Sequence, residues 1–498
     1  MFGQGGFSKN YFLSGSYVSV CKDVIEAPNG NIIMTGLTYD ALTGSNRLTI
    51  LGTDAQGNQL WRKNYGSDKF EYLDNFFNKR SILKVNNCFY FYTAVRDSNN
   101  KYFSAVIKFN YNGDTLWQRK YYDTSEYTEV YSIVKSIDNG FLMTGVFVDP
   151  INPINRTMII KTDSMGNELW RKKISKAIPN GQTGKKILQD SASKKIIIAG
   201  YQANGTSMTY NYDANIIVCD SLGNELQRKY FTNGCGSGFL DLIQTKDKKC
   251  VAVGAKDQCS NTSGNLSRSK SYAVKFDLNN LNTISWAKQF DTLSVYNGFC
   301  TINELKNGDL ILSGGLDTLK NYGYTEKTML RLIKLDKNGN LKWKKLFSRD
   351  SLTVNSKGVR SLNITADGSY LIANELFMAT NPRPYSITKI DSTGCDSSAF
   401  YCSTVGIYQN SFLIQNINVY PNPASDLVSI TYQGELTNLQ LQVYNTIGQL
   451  ICKEELVFTN NTATINTQKF ANGVYVLTLS IPTQSEKRLY SKRLVIAR

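Results

Sequence analysis

The stretch DSMGNELW, Asp163–Trp170, decides the fold because the chain repeats it. Near-copies read DAQGNQLW (Asp54–Trp61), NYNGDTLW (Asn110–Trp117), DSLGNELQ (Asp220–Gln227), DLNNLNTISW (Asp277–Trp286) and DKNGNLKW (Asp336–Trp343). Their last residues fall at 61, 117, 170, 227, 286 and 343, a period of 53 to 59 residues. Periods of this length belong to propellers or solenoids, in which one supersecondary unit recurs.

Outward from Asp163 the unit reads as four strands. Val130–Ser136 alternates, Gly140–Gly145 is a short apolar run, Arg156–Lys161 is a third strand and Glu168–Ile174 a fourth. No segment sustains the 3.6-residue periodicity of a helix. Asp163 and Gly166 suit a tight turn, since Asp side chains bond turn amides and Gly accepts positive φ. Apolar runs ending in Gly also recur: NGNIIMTG (Asn29–Gly36), NGFLMTG (Asn139–Gly145), KKIIIAG (Lys194–Gly200) and NGDLILSG (Asn307–Gly314). Four-stranded units repeated around an axis make a β-propeller.

The blade count is seven. A seventh landmark would fall near Ser398, where DSTGCDSSAFYC keeps the turn but has no Trp. FSKNYF (Phe7–Phe12) matches WRKNYG (Trp61–Gly66) and lies 54 residues before it. Phe7–Phe12 is therefore expected to complete the last blade, Gly358–Asp391, and so remove an open strand edge. The expected architecture is all-β: a seven-bladed propeller over 1–403, a linker over 404–416, and a small C-terminal β-sandwich over 417–498.

The chain has 498 residues and no histidine, which excludes Ser–His–Asp and Cys–His nucleophile systems and every His-containing metal site. Neither a P-loop, a zinc signature nor a GxSxG elbow is present, so no cofactor or metal is expected. Each Asp–x–x–Gly–Asn turn offers one carboxylate and one amide, against the six to eight oxygens calcium takes. The sialidase Asp-box has one residue between Asp and Gly, whereas DSMGNELW has two.

Net charge is +16; the tail from Ile417 holds seven basic and five acidic residues, leaving +14 on the rest. Such a surface attracts anionic glycan or lipopolysaccharide; nucleic acid is not an expected partner. The ten cysteines form no CxxC pair, and two disulfides are expected, Cys395–Cys402 and Cys235–Cys259. Cys21, Cys219 and Cys300 lie within strands and are expected to be buried thiols.

Basic residues follow each landmark (Arg62, Lys63, Arg119, Lys120, Arg171, Lys172, Lys173, Arg228, Lys229, Lys288, Lys344, Lys345) and fall on each blade's outermost strand. They read as charges that blunt an exposed edge, or as a girdle for anionic glycans. The recurrent Trp residues read as packing between neighbouring blades, with Gln227 and Phe7 as drift. Loops between second and third strands carry clustered tyrosines, so Tyr210, Tyr212, Tyr322 and Tyr324 are the candidate ligand contacts. Acidic residues appear scattered over the repeat, with no common funnel-facing position.

The last eighty residues hold a different pattern: NVYPNPASD (Asn418–Asp426), LQVYNTIGQL (Leu439–Leu450), ANGVYVLTL (Ala471–Leu479) and a basic end, SKRLVIAR. In order and spacing these resemble the type A C-terminal sorting domain of type IX secretion cargo from Bacteroidetes. The resemblance assigns Pro421, Asn422 and Pro423 to the first motif, Gly448 to the mid-domain turn, Gly473 and Tyr475 to the GxY motif, and Lys492 and Arg493 to the basic last strand. It implies the type IX secretion machinery as partner and a secreted or outer-surface location. The repeat likewise resembles propeller repeats of secreted Bacteroidetes proteins. MFGQGGFSKNYF has no apolar signal core, so a leader is expected upstream. No apolar run reaches the eighteen residues of a transmembrane helix.

The expectation is a monomeric, secreted or surface-held protein that binds a glycan or surface protein without catalysis. The alternatives are a glycan hydrolase or lyase using carboxylates or Tyr in the funnel, and a structural adhesion component.

Overall fold

In a computed structural model, the described residues are 6–13, 16–40, 44–66, 69–73, 80–122, 127–148, 154–174, 181–204, 211–231, 237–258, 268–290, 297–319, 325–347, 354–378, 382–394, 417–432, 438–446, 448–480 and 488–498. They fall into two compact units, Met1–Cys402 and Ser403–Arg498.

The first unit is a seven-bladed β-propeller. Blade 3 shows the pattern: Tyr127–Lys135, Phe141–Val148, Asn155–Thr162 and Glu168–Ile174 pair antiparallel in chain order. Blades 1, 4, 5 and 6 repeat it, and blade 2 differs only in an inner strand made of two pieces, Phe70–Tyr72 and Ile82–Val85. In blade 7 the outermost strand is Phe7–Tyr11, paired with Tyr385–Ile390 in the register Phe7↔Lys389 to Tyr11↔Tyr385.

The core lies between blades. Each neighbouring pair shares one apolar cluster; that between blades 2 and 3 unites Tyr90, Tyr92 and Val106 with Val130, Met143 and Ile160. Blades 7 and 1 share theirs as well, with Leu371, Ala373 and Ile387 against Cys21, Val24 and Met34, so the ring is closed. Cys21, Cys219 and Cys300 are buried thiols outside any disulfide.

The landmark aromatics join one blade to the next. An added Cβ at Gly166 (φ +78°) would meet Trp117 at 2.8 Å, and at Gly223 (φ +82°) it would meet Trp170 at 3.1 Å. Trp61 covers Gly113, Trp286 covers Gly339, Trp343 covers Gly394, and Phe7 covers Gly57, all with positive φ that favours glycine. Gln227 is therefore not drift. The turn it faces, Asp277–Thr283, has no glycine and instead buries Leu278 and Leu281, leaving no floor for an indole. Gln227 donates to the Asn279 carbonyl at 3.3 Å.

A second series sits two residues after each landmark. Lys9 reaches Asn58 (2.6 Å), Lys63 Asp114 (3.4 Å), Lys172 Asn224 (3.3 Å), Lys229 Asn282 (3.1 Å), Lys288 Asn340 (3.3 Å) and Lys345 the Thr393 carbonyl (2.8 Å). In the remaining blade Arg119 stacks over Trp117, 5.3 Å from its ring centre. Six of these seven cations bond the turn of the next blade. The recurrent turn itself is closed by its acid: Asp163 accepts the Met165 and Asn167 amides at 2.9 and 2.8 Å and the Asn167 side chain at 2.8 Å.

The second unit packs a three-stranded sheet (Ile417–Tyr420, Leu427–Tyr432, Thr462–Asn466) against a four-stranded one (Leu450–Val457, Asn438–Asn445, Gly473–Ser480, Arg488–Ile496). One cluster joins them: Val428 and Ile430 meet Leu439, Leu441, Val443, Leu477 and Leu494. The alternation of buried Leu439, Leu441 and Val443 is that of a half-buried strand.

Candidate functional site

The glycine ending each apolar run shapes the propeller axis. A Cβ at Gly145 would lie 1.9 Å from the Glu129 carbonyl, and at Gly36, Gly200 and Gly254 equally close to the inner-strand carbonyls of Val20, Thr183 and Gly238. At this level the inner strand carries an extra residue: pairing skips between Val130 and Ser132, Cys21 and Asp23, Gly184 and Lys186, Phe239 and Asp241, Phe299 and Thr301, and Val359 and Ser361. A bulge re-aims side chains and is frequent at functional sites. The bulged residues are Lys22, Tyr131, Lys185, Leu240, Cys300 and Arg360, and Arg80 precedes Ser81 at the matching point of blade 2.

Two acids follow the bulge in equivalent blades. Asp23 accepts the Ser81 and Ile82 amides of blade 2, both at 2.9 Å; Asp241 accepts the Ile302 amide of blade 6 at 3.0 Å. Asp23 and Asp241 thus share one inner-strand position in two blades, where each is buried and bonds the next inner strand. Arg80 crosses the axis to the Ile302 carbonyl and Asn303 (both 3.1 Å) and pairs with Asp241 at 3.3 Å, where Lys186 also arrives at 3.5 Å. Burial pushes the Asp23 carboxyl up, against its bond to Ser361 and the Arg80 charge, and burial pushes the Lys186 ammonium down, against Asp241. The axis is thus latched by charges that bond each other and the backbone.

A second cluster lies at the face opposite the Asp–Gly turns, where inner strands begin and second strands end. Glu129, 3% exposed, accepts the Tyr127 and Tyr131 hydroxyls at 2.8 and 3.0 Å on one carboxylate oxygen. Lys185, also buried, places its ammonium 3.7 Å from the Tyr131 ring centre and 5.5 Å from that of Tyr201. Tyr201 meets Tyr212 edge-on at 5.0 Å, and on the other side Tyr127 meets Tyr102 at 4.9 Å. Beyond Tyr102, Arg96 pairs with Glu71, which accepts from Asn46 at 3.0 Å. A strip of tyrosines with buried charges beneath it therefore runs from blade 2 to blade 4. Burial and then Glu129 raise the Tyr127 and Tyr131 phenols, and burial takes Tyr201 up to about 12. The Tyr127 and Tyr131 phenols act here as hydrogen-bond donors to Glu129.

Of the candidate contacts, Tyr212 lies at the end of this strip, 39% exposed. Tyr210, Tyr322 and Tyr324 lie outside the described residues, as do Cys395, Cys402, Cys235 and Cys259. The remaining strip residues were missed because they come from strand ends in three repeats that share no motif. Among the described residues no group of three or more Cys, Asp or Glu side chains is placed to hold a metal.

In the tail, Asn422 acts as a surrogate strand residue. Its side chain accepts the Val495 amide at 2.8 Å and donates to the Arg493 carbonyl at 2.7 Å. Asn472 does the same at the end, accepting the Arg498 amide (3.1 Å) and donating to its carbonyl (3.3 Å). Pro421 and Pro423 flank Asn422; Gly448 takes φ +82° in the turn closed by Asn445; the Tyr475 hydroxyl, three residues beyond Asn472 and two beyond Gly473, bonds the Ala471 carbonyl at 2.9 Å. Lys492 and Arg493 are exposed on the last strand.

The fold is thus a closed propeller followed by a separate sandwich. Residues 418–497 match the family of secretion system C-terminal sorting domains, and the chain is a secretion-tagged propeller of the type IX route, secreted or held at the cell surface. An endo-acting ulvan lyase from Formosa agariphila is 28% identical over 116 residues, which are 22% of this chain and 21% of that protein. The chain thus matches about a fifth of that relative's length. Among solved structures, an ulvan lyase of polysaccharide lyase family PL25 bound to -[GlcA(1-4)Rha3S]- is similar at TM-score 0.47 and 10% identity, over 77% of this chain and 96% of that one. The β-propeller domain of the Trilobed protease from Pyrococcus furiosus is similar at TM-score 0.40 and 10% identity, over 74% and 95%.

Proposed function

We propose that the propeller is a glycan-binding module, exported by its sorting domain, that holds its ligand on the tyrosine strip without cleaving it. The observation that carries this is the run Tyr102, Tyr127, Tyr131, Tyr201, Tyr212 over buried Lys185 and Glu129. Flat amphipathic rings offer sugar faces a surface, while the part-exposed Arg96–Glu71 pair offers polar groups to sugar hydroxyls. The similarity to an ulvan lyase supports a polysaccharide as ligand. The net charge of +14 outside the tail favours an acidic one. Non-cleavage rests on the burial of Glu129, whose carboxylate oxygen takes the Tyr127 and Tyr131 hydroxyls and does not face a sugar carbon.

The test is affinity electrophoresis of the purified chain in gels of ulvan, alginate and a neutral glucan, with product formation followed in parallel. The expected result is retardation by the acidic polymers that weakens with salt, because exposed charges are screened beyond ~10 Å at 0.1 M. Polymer size should stay unchanged. Absence of retardation in every gel refutes binding. Release of unsaturated uronide absorbing in the ultraviolet refutes non-cleavage and makes the protein a lyase.

A further inference from the structure

We infer that the glycan is bound as an extended chain across two blade seams at once, so that the site reads polymer length and not a chain end. This rests on the binding reading above and adds to it the geometry of the ligand.

The strip has two separate groups of side chains able to hold a sugar unit. One lies where blades 2 and 3 meet: Tyr102 and Tyr127 tilt together at 4.9 Å beside the Arg96–Glu71 pair, whose side chains are 40% and 20% exposed. The other lies on blade 4 towards blade 5: Tyr201, packed against Gly238, and exposed Tyr212 stand edge-on at 5.0 Å, with Lys185 5.5 Å from the Tyr201 ring. Between them the link is continuous but buried. Tyr127 bonds Glu129, Glu129 bonds Tyr131, and the Tyr131 ring carries Lys185. Glu129 and Tyr131 are 3% and 8% exposed, so this middle stretch forms a floor and not a contact surface.

A pyranose is about as wide as one aromatic ring, so one sugar unit cannot touch Tyr102 and Tyr212 together. They sit on different blades with a whole blade between them. Each group also has its own cation, Arg96 at one and Lys185 beside the other. A long chain lies over both groups, its acidic units beside part-exposed Arg96 and above buried Lys185, and a terminal residue lies over only one. Linking two weak contacts through one ligand makes the second contact intramolecular and multiplies affinity without any new interaction.

The experiment is calorimetric titration of the full chain with size-graded, saturated ulvan oligosaccharides, from a disaccharide upward. Affinity is expected to rise by at least about tenfold with length and then level off once both seams are filled. Tyr102→Ala and Tyr212→Ala, each checked for an unchanged melting temperature, should bring the long oligosaccharide down towards the short one. Each should leave at least half of the short-chain affinity, because the untouched seam still binds. A merely structural role would weaken all lengths alike. Binding with no length dependence, or variants that weaken every length equally, overturns the two-seam inference while leaving glycan binding intact. No heat at any length, with no retardation by intact ulvan, removes the binding reading itself.

Discussion

Replacing Asp241 with Ala should be among the most damaging single changes to the propeller. The carboxylate is 3% exposed, accepts the Leu242 and Ile302 amides at 3.0 Å each, and faces Arg80 at 3.3 Å and Lys186 at 3.5 Å. Losing the acceptor strands a buried amide of blade 6, at about 1–3 kcal/mol. Losing the charge leaves two cations facing each other near the axis. Breaking a buried pair by removing one partner costs about 3–5 kcal/mol, and the total should lie in that range. Asp241→Asn keeps an acceptor for Ile302 but loses the same charge, so it should cost about 3 kcal/mol, the lower end of that range. Arg80 retains the Ile302 carbonyl and Asn303 in both variants, which limits the loss. The assay is urea denaturation followed by tryptophan fluorescence, which reports the propeller alone because all five tryptophans lie between 61 and 343. A cycle with Arg80→Met should return a coupling above about 0.5 kcal/mol. If Asp241→Ala costs less than about 1 kcal/mol, the axis is not held by these charges and the latch is wrong.

Three further outcomes follow from the blade joints and the tail. Trp170→Ala should cost about 2–3 kcal/mol, below the 3–5 of a fully buried Trp because the indole is half-exposed, whereas Gln227→Trp should also destabilise for want of a glycine opposite; equal tolerance of Trp at 170 and 227 in urea would contradict the glycine-floor account. Asp163 is held below the usual carboxylate range by its bonds to Asn167, so its contribution is present above about pH 3.8 and disappears as pH falls through the depressed folded value. Asp163→Asn should therefore flatten the acid limb of the stability profile with little loss at pH 7, since Asn110 already makes the same turn through the Asn112 and Asp114 amides; an unchanged acid limb would show that this carboxylate is not linked to folding. Asn422→Ala removes both bonds to the last strand and should lower export into the medium while leaving the urea midpoint of the propeller unchanged, measured by quantifying the chain in medium and periplasm; undiminished export would show that the clasp is dispensable for sorting.

How much of this was legible in the sequence depends on how each feature is encoded. The propeller was legible because its turns are local: Asp163, Gly166 and Trp170 lie within eight residues and recur in register. The Phe7 strand was legible because it carries the same local signature out of place. The cations two residues after each landmark were in plain view, but their partners lie about fifty residues away in the next turn. Spacing alone could not separate inter-blade bonds from edge charges. The glycine ending each apolar run was also visible; its cause, a bulge on the neighbouring strand, was not, because a bulge is a relation between two strands.

The candidate site was the least legible part, for the same physical reason carried further. Glu129, Tyr131 and Lys185 come from two inner strands whose first residues differ from blade to blade, TEVYS in one and TGKKI in the other. A structural position in a repeat must satisfy the same neighbour seven times, so selection for packing writes it seven times. A binding position touches the ligand once, and nothing requires its equivalents in other blades to match. At the bulge position the residue type varies: Lys22 and Arg360 bond protein groups, Cys300 is a buried thiol, and Lys185 lies beside two tyrosine rings. In a repeat protein, then, departures from the repeat at a position whose backbone is kept are where a site should be sought. By that criterion the tyrosine strip of blades 2, 3 and 4, and not the regular outer girdle of Lys and Arg, is where we propose that the ligand binds.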